Sequence, residues 1–218
     1  MKKFLTIITV IFLSGCQATI TKNEAFPKLY SEKPKTILVV PAVNNTTAAD
    51  AAELYSTTIA QPLSEAGYYV VSIPFVEHFL QREGISDGEQ AKQIPPEKFL
   101  QLFGADAVLF VNINSWDTNY YITGGNVTVS AKFELISTKT NNMLWQYDDI
   151  IVHDTSGNSG NLLVDVISTA LTTALVDYVP IARQVNSQIV SSLPVGQYHP
   201  RHGKDNNDSG IVASKVTN

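Results

Sequence analysis

Among the 218 residues there is one thiol, Cys16, which closes the stretch TVIFLSGC at the end of an apolar run. A lone cysteine forms no internal disulfide, and without a C-x-x-C or a Cys/His cluster the chain offers no structural zinc site. His153, Asp154 and Ser159 hold the residue types of a nucleophilic triad. Triads, however, assemble across a fold rather than along a chain, and SGNSG at 156–160 has the wrong spacing for a G-x-S-x-G elbow. His153 therefore reads as a strand-end residue, and no catalytic residue is assigned. The SGNSGN loop also lies between a strand ending at His153 and a helix starting near Leu162, the local order of an anion site at a helix N-terminus. It lacks the Walker lysine and the G-x-G-x-x-G pattern, and Asp154 and Asp165 would repel an anion, so it reads as a plain connection.

No metal site is assigned either. His199 and His202 lie in a polar tail, His78 sits beside Glu77 as a solvated residue, and Asp148-Asp149 lacks the spacing of a calcium loop. Asn44, Asn45 and Thr46 follow a buried strand, where parallel sheets bind ligands in a crevice; capping of the next helix accounts for the same residues. Trp116, Tyr120, Tyr121 and Trp145, with Tyr147, supply either a partner surface or cross-strand packing.

The elements that position these residues follow from periodicity. Thr36 to Val40 is a continuous apolar and β-branched run closed by Pro41, which suits a strand buried on both faces. Thr47 with Asp50 marks a helix start, and Leu54, Thr58, Ile59, Leu63 and Ala66 recur at helical spacing, with Pro62 expected to kink or restart the helix before Gly67 ends it. YYVVSIP is a second strand stopped by Pro74, so this strand-helix-strand unit pairs in parallel. A helix over 75–82, the loop EGISDGEQ and a short helix from Pro95-Pro96 to Leu102, capped by Gly104, come next. Strands over 105–116, 126–137 and 142–154 form an antiparallel meander, with Val127, Val129, Ala131, Phe133 and Leu135 on one face. A last helix spans Leu162 to Ser192 and bends at Pro180. The expected fold is one α/β domain: a mixed sheet of about five strands, a parallel strand-helix-strand unit followed by an antiparallel meander, with packed helices.

Lys2 and Lys3, the run from Phe4 to Leu13 and the small Ser14-Gly15 make a secretory signal peptide over 1–15. At ~1.5 Å per residue, this run spans about half of a ~30 Å hydrocarbon core. Leu13-Ser14-Gly15-Cys16 resembles the lipobox of bacterial lipoprotein precursors, which implies cleavage before Cys16, a diacylglycerol on its sulfur and an acyl chain on its new amine. Two or three chains, at ~0.8 kcal/mol per buried CH2, hold a domain on a bilayer where one does not. Gln17 in place of aspartate implies the outer membrane rather than retention at the inner one. Removal of 1–15 leaves 13 basic against 20 acidic residues, net −7, which disfavours nucleic acid and anionic surfaces.

Residues 16–35 then read as a lipidated N-terminus and tether, 36–193 as the globular domain and 194–218 as a disordered polar tail.

The order of the lipobox, VVPAVNN, GYYV, Pro95-Pro96, GADAVLFV, Trp116 and Leu144-Trp145 resembles a family of Gram-negative outer-membrane lipoproteins of unknown function. Its genes often lie beside those of curli-secretion-channel-like (CsgG-like) lipoproteins. The order of elements is also similar to the amino-terminal domain of TolB and to lipoprotein activators of penicillin-binding proteins. The resemblance covers 1–195 and carries over no catalytic residue and no cofactor beyond the covalent lipid. It implies a non-enzymatic protein, anchored in the outer membrane and facing the periplasm, that serves an envelope assembly or export complex. Its partners would be other envelope lipoproteins, CsgG-like ones included, or further copies of itself, and not nucleic acid. The alternative is a periplasmic receptor for a small ligand in the Asn44–Thr46 crevice. Cys16→Ala is expected to leave an unprocessed precursor that takes up no labelled palmitate.

Overall fold

A computed structural model describes residues 19–121, 124–154 and 179–212. Residues 1–15, expected to be a signal peptide, Cys16, Ser159 with its glycine-bearing stretch and the part of the expected last helix over 162–178 lie outside the described residues, as do the side chains of Tyr120, Tyr121 and His153.

The chain order is β1 (Thr19–Thr21), α1 (Lys22–Ala25), α2 (Pro27–Glu32), β2 (Thr36–Val39), β3 (Val43–Asn44), α3 (Ala51–Glu65) and β4 (Tyr69–Val70). Then follow α4 (Ile73–Arg82), α5 (Gly88–Lys92), α6 (Pro96–Phe103), β5 (Ala107–Tyr121), β6 (Gly124–Ser137), β7 (Met143–Asp154), α7 (Val179–Val190) and β8 (Ser209–Val212). The main sheet runs β4-β2-β5-β6-β7, with β3 also on β5. β2 pairs in parallel with β4 and β5, whereas β5-β6 and β6-β7 are antiparallel. The expected mixed sheet is therefore present, with the two-residue β3 as a sixth strand.

Two cores lie on opposite faces of this sheet. Ile37 and Val39 of β2 join Leu109, Val111, Phe133, Leu135 and Trp145 beneath α2, α3 and α7. Leu38 and Val40 turn the other way, with Val108 and Phe110, onto Val76, Leu80, Ala91 and Phe99 of α4 to α6. The continuous apolar run of β2 thus reflects burial on both faces. In β6, Val129, Ala131, Phe133 and Leu135 are buried while Thr128, Ser130, Lys132 and Glu134 are half-buried, which is the expected alternation.

Several boundaries differ from the sequence reading. α3 runs unbroken through Pro62, which sits in its last turn and is itself buried against the core. The strand at YYVV is two residues long, and Pro74 falls in the first turn of α4, where its missing N–H costs nothing. Asp87 caps α5 within the expected loop, its carboxylate accepting from the Gln90 amide at 2.9 Å.

The two flanking segments differ most. Residues 19–32 are not a free tether: the Thr21/Glu24 capping box starts α1, and Ala25, Phe26 and Leu29 are buried in the core. Residues 194–212, expected to be disordered, are folded against the domain. β8 pairs antiparallel with β1, Thr19 opposite Val212. The Gly196 amide donates to Ala66 O at 2.8 Å, Tyr198 N to Gly67 O at 3.1 Å, and the Tyr68 hydroxyl to Pro194 O at 2.7 Å. Asp205 is fully buried and accepts from Val195 N at 2.8 Å. This segment shows no periodicity because backbone hydrogen bonds hold it, not an apolar stripe.

The seam depends on two glycines. A Cβ on Gly196 would lie 2.2 Å from Gly67 O, and Gly67 itself has φ +90. Gly196→Ala is expected to cost about 1–3 kcal/mol and to open 194–212 to protease, measured by denaturant titration and limited proteolysis.

Candidate functional site

A crevice of about 490 Å³ opens at the carboxyl end of β2 and β3. Pro41 to Asn45 form its floor, Ala52, Glu53 and Ser56 of α3 one wall, Glu77 and Gln81 of α4 another, and Ser86 to Glu89 its rim. Three contacts shape it. Gly88 brings α5 onto the floor so closely that a Cβ there would lie 2.4 Å from Val43 N and 2.7 Å from Pro41 O. Asn45 N donates to Ile113 O at 2.9 Å, extending the parallel pairing of β3, and its amide reaches Asn114 Oδ1 at 3.2 Å. Asn44 Oδ1 accepts from the Thr46 amide at 3.0 Å and hydroxyl at 2.8 Å, while its Nδ2 donates to Ala48 O at 2.8 Å.

The Asn-Asn-Thr loop borders the crevice but does not cap the next helix. Asn44 and Asn45 line the crevice, but the Asn44 amide is spent holding the loop before α3, and Thr46 is its partner rather than part of the lining. The expected Thr47 cap is not used: Asp50 is the N-cap residue and makes no side-chain cap bond. Glu53, Glu77, Asp87 and Glu89 are the charged residues of the lining, without a basic one among them. Such a wall attracts hydrogen-bond donors and cations and repels phosphate.

The aromatic residues divide differently from the sequence reading. Trp116 and Trp145 are core, at 7% and 1% exposure, and so are no partner surface. Phe133 meets Tyr55 and Trp145 edge-on, with ring centroids 5.9 and 6.2 Å apart, and Tyr147 stacks on Trp145. The Trp145 indole N–H donates to Ser192 Oγ at 3.1 Å, satisfying the one polar atom of the ring.

The exposed aromatic face is elsewhere, on α4 and α6. Phe75 and Leu102 are 57% and 53% exposed, and Phe75, Phe79 and Phe103 form a mutual cluster with centroids 5.1–6.5 Å apart. The sequence stripe of Phe75, Val76, Phe79 and Leu80 merged two faces: Val76 and Leu80 turn inward, while Phe75 looks out and Phe79 is half-buried beside it. The signal was available in the excess of apolar positions on so short a helix, wider than one buried stripe needs.

His199 is held in a turn, its Nδ1 accepting from Arg201 N at 3.1 Å, and Asp148 faces Lys132 across the β6-β7 ladder. Among the described residues, no group of three or more His, Cys, Asp or Glu is placed to hold a metal ion.

The family model described as "Putative lipoprotein GNA1162-like" matches residues 25–194. The chain belongs to this lipoprotein family. A lipoprotein of Neisseria meningitidis serogroup B, NMB1124/NMB1162, is 31% identical over 167 residues, 77% of this chain and 78% of that one. The crystal structure of lipoprotein GNA1162 from Neisseria meningitidis is 35% identical, with a TM-score of 0.52 over 64% of this chain and 96% of that one. The crevice and the aromatic face both fall inside the span that the GNA1162-like model matches, whereas β1 and β8 lie outside it.

Asn44→Ala removes three hydrogen bonds from one loop. It is expected to lower stability by about 1–3 kcal/mol, measured by chemical denaturation, with far-ultraviolet circular dichroism unchanged.

Proposed function

We propose that the protein is a lipid-anchored, non-enzymatic accessory of an envelope assembly or export complex, held at the outer membrane through Cys16 and facing the periplasm. The observation that carries this reading is the α4/α6 face. Phe75 and Leu102, exposed beside the half-buried Phe79 and Phe103, leave apolar area in solvent that a partner would remove. Aromatic side chains of this kind concentrate interface energy, because they bury large area while losing few rotamers. Membership of a lipoprotein family supports the anchor. The partners by this reading are other envelope lipoproteins, CsgG-like ones among them, or a second copy of the chain.

The second reading, a periplasmic receptor for a small ligand, is favoured by the acidic crevice beside Asn44 and Asn45. Its charge selects a cationic or donor-rich molecule. The two readings use opposite properties of the surface, one apolar and one charged.

Affinity purification from gently solubilised membranes separates them. The native chain is expected to bring down an envelope protein or further copies of itself, and Phe75→Asp with Leu102→Asp to reduce that recovery at least about tenfold, the loss of one buried aromatic anchor. Recovery of the native chain alone would overturn the accessory reading and leave the crevice.

A further inference from the structure

The net charge of −7 that remains without residues 1–15 hides a division along the chain. Residues 36–193 carry 6 basic against 16 acidic side chains, while 19–35 and 194–212 together carry 6 basic against 4 acidic. In sequence these flanking segments are far apart. In the fold they are one structure: β1 pairs with β8, Lys22 N donates to Asp208 O at 2.9 Å and Asn23 N to Asn206 O at 3.1 Å. The Lys22 ammonium bridges to Ser191 O and Leu193 O, both at 2.9 Å, and Arg201 pairs with Asp208 at 2.8 Å. Lys33 and His202 line one crevice between α2 and the C-terminal segment. Lys28, Lys33, Lys35, Arg201 and Lys204 are all exposed, whereas Asp205 is buried beneath them.

This basic end is also where the anchor enters. Three Cα steps separate Cys16 from Thr19, so the folded chain begins within about 11 Å of the lipidated residue. Without the β1-β8 clamp the first residue fixed elsewhere would be Lys22, held by Ser191 and Leu193, six steps away and up to about 23 Å from Cys16. The clamp therefore shortens the tether about twofold and puts the positive end of the molecule within reach of the headgroups.

We propose that the end built from 19–35 and 194–212 is a membrane-docking surface that seats on anionic phospholipid headgroups. The acidic body is repelled from the same plane, so attraction at one end and repulsion at the other orient the domain. α4 and α6, on the opposite face of the sheet from α1 and α2, then stay accessible. This proposal rests on acylation of Cys16.

The test uses the full lipidated chain in vesicles containing anionic phospholipid and a headgroup-linked quencher. Because acylation consumes the native thiol, a single label goes on Asn207→Cys at the basic end or on Gln101→Cys of α6. Stronger quenching at 207 than at 101, lost in Lys28→Glu/Lys33→Glu/Lys204→Glu, is the expected result. Equal quenching at the two sites, or a difference that survives the charge reversal, would overturn the proposal. The reversed side chains are exposed, so the variant keeps the fold, checked by circular dichroism. Failure of the anchor itself reads out separately, as a mature chain whose mass carries no lipid and which does not float with the vesicles.

Discussion

The pairing of β5 is the constraint on which the rest of the molecule depends. Its first half takes β2 in parallel on one edge and β6 antiparallel on the other, and its two faces enter different cores. Leu109, Val111 and Ile113 point to one helical layer and Val108 and Phe110 to the other, so this strand cannot shift by one residue without exchanging them. Beyond Ile113 the register shifts, β3 ends, and the strand continues in a three-stranded antiparallel ladder with β6 and β7. The crevice exists because β3 stops there while α3 and α5 lean over the gap.

A second constraint ties the edges of the domain to this centre. The Asp106 carboxylate, just before β5, accepts from the amides of Lys35 and Thr36 at 3.0 and 3.1 Å and is paired with Lys139 from the β6-β7 turn. Burial pushes its pKa up, but these hydrogen bonds together with the lysine charge outweigh burial and leave it below the ordinary value. One side chain thus joins the start of β2, the start of β5 and the turn of the meander. At the far corner, Gly67 and Gly196 bring the C-terminal segment onto the end of α3, and Asn186 of α7 donates to Thr58 of α3 at 2.8 Å within the packed helical layer.

Much of this was legible from period and punctuation. The unbroken run of β2, the alternation of β6, Pro96 opening α6 and Gly104 closing it at φ +66 all mean in the structure what they mean in the sequence. What was not legible was held by another kind of force. Residues 194–212 read as a tail because their order comes from hydrogen bonds to distant backbone, which leave no periodic trace. Trp116 and Trp145 read as surface candidates because aromatic type alone does not distinguish a core position from an interface. For the crevice, Asn44 and Asn45 were legible, but Glu77, Asp87 and Glu89 were not, since α4 and α5 reach that corner only by packing.

The sequence by itself determined the elements, the parallel-then-antiparallel order of the sheet, the faces of the meander and membership of a lipoprotein family, because hydrophobic period and turn chemistry are local properties. Only the tertiary structure decided which aromatics face water, which acids gather at the crevice, and that the two basic flanks meet. Those are matters of which distant residues become neighbours, and chain position does not encode them one residue at a time.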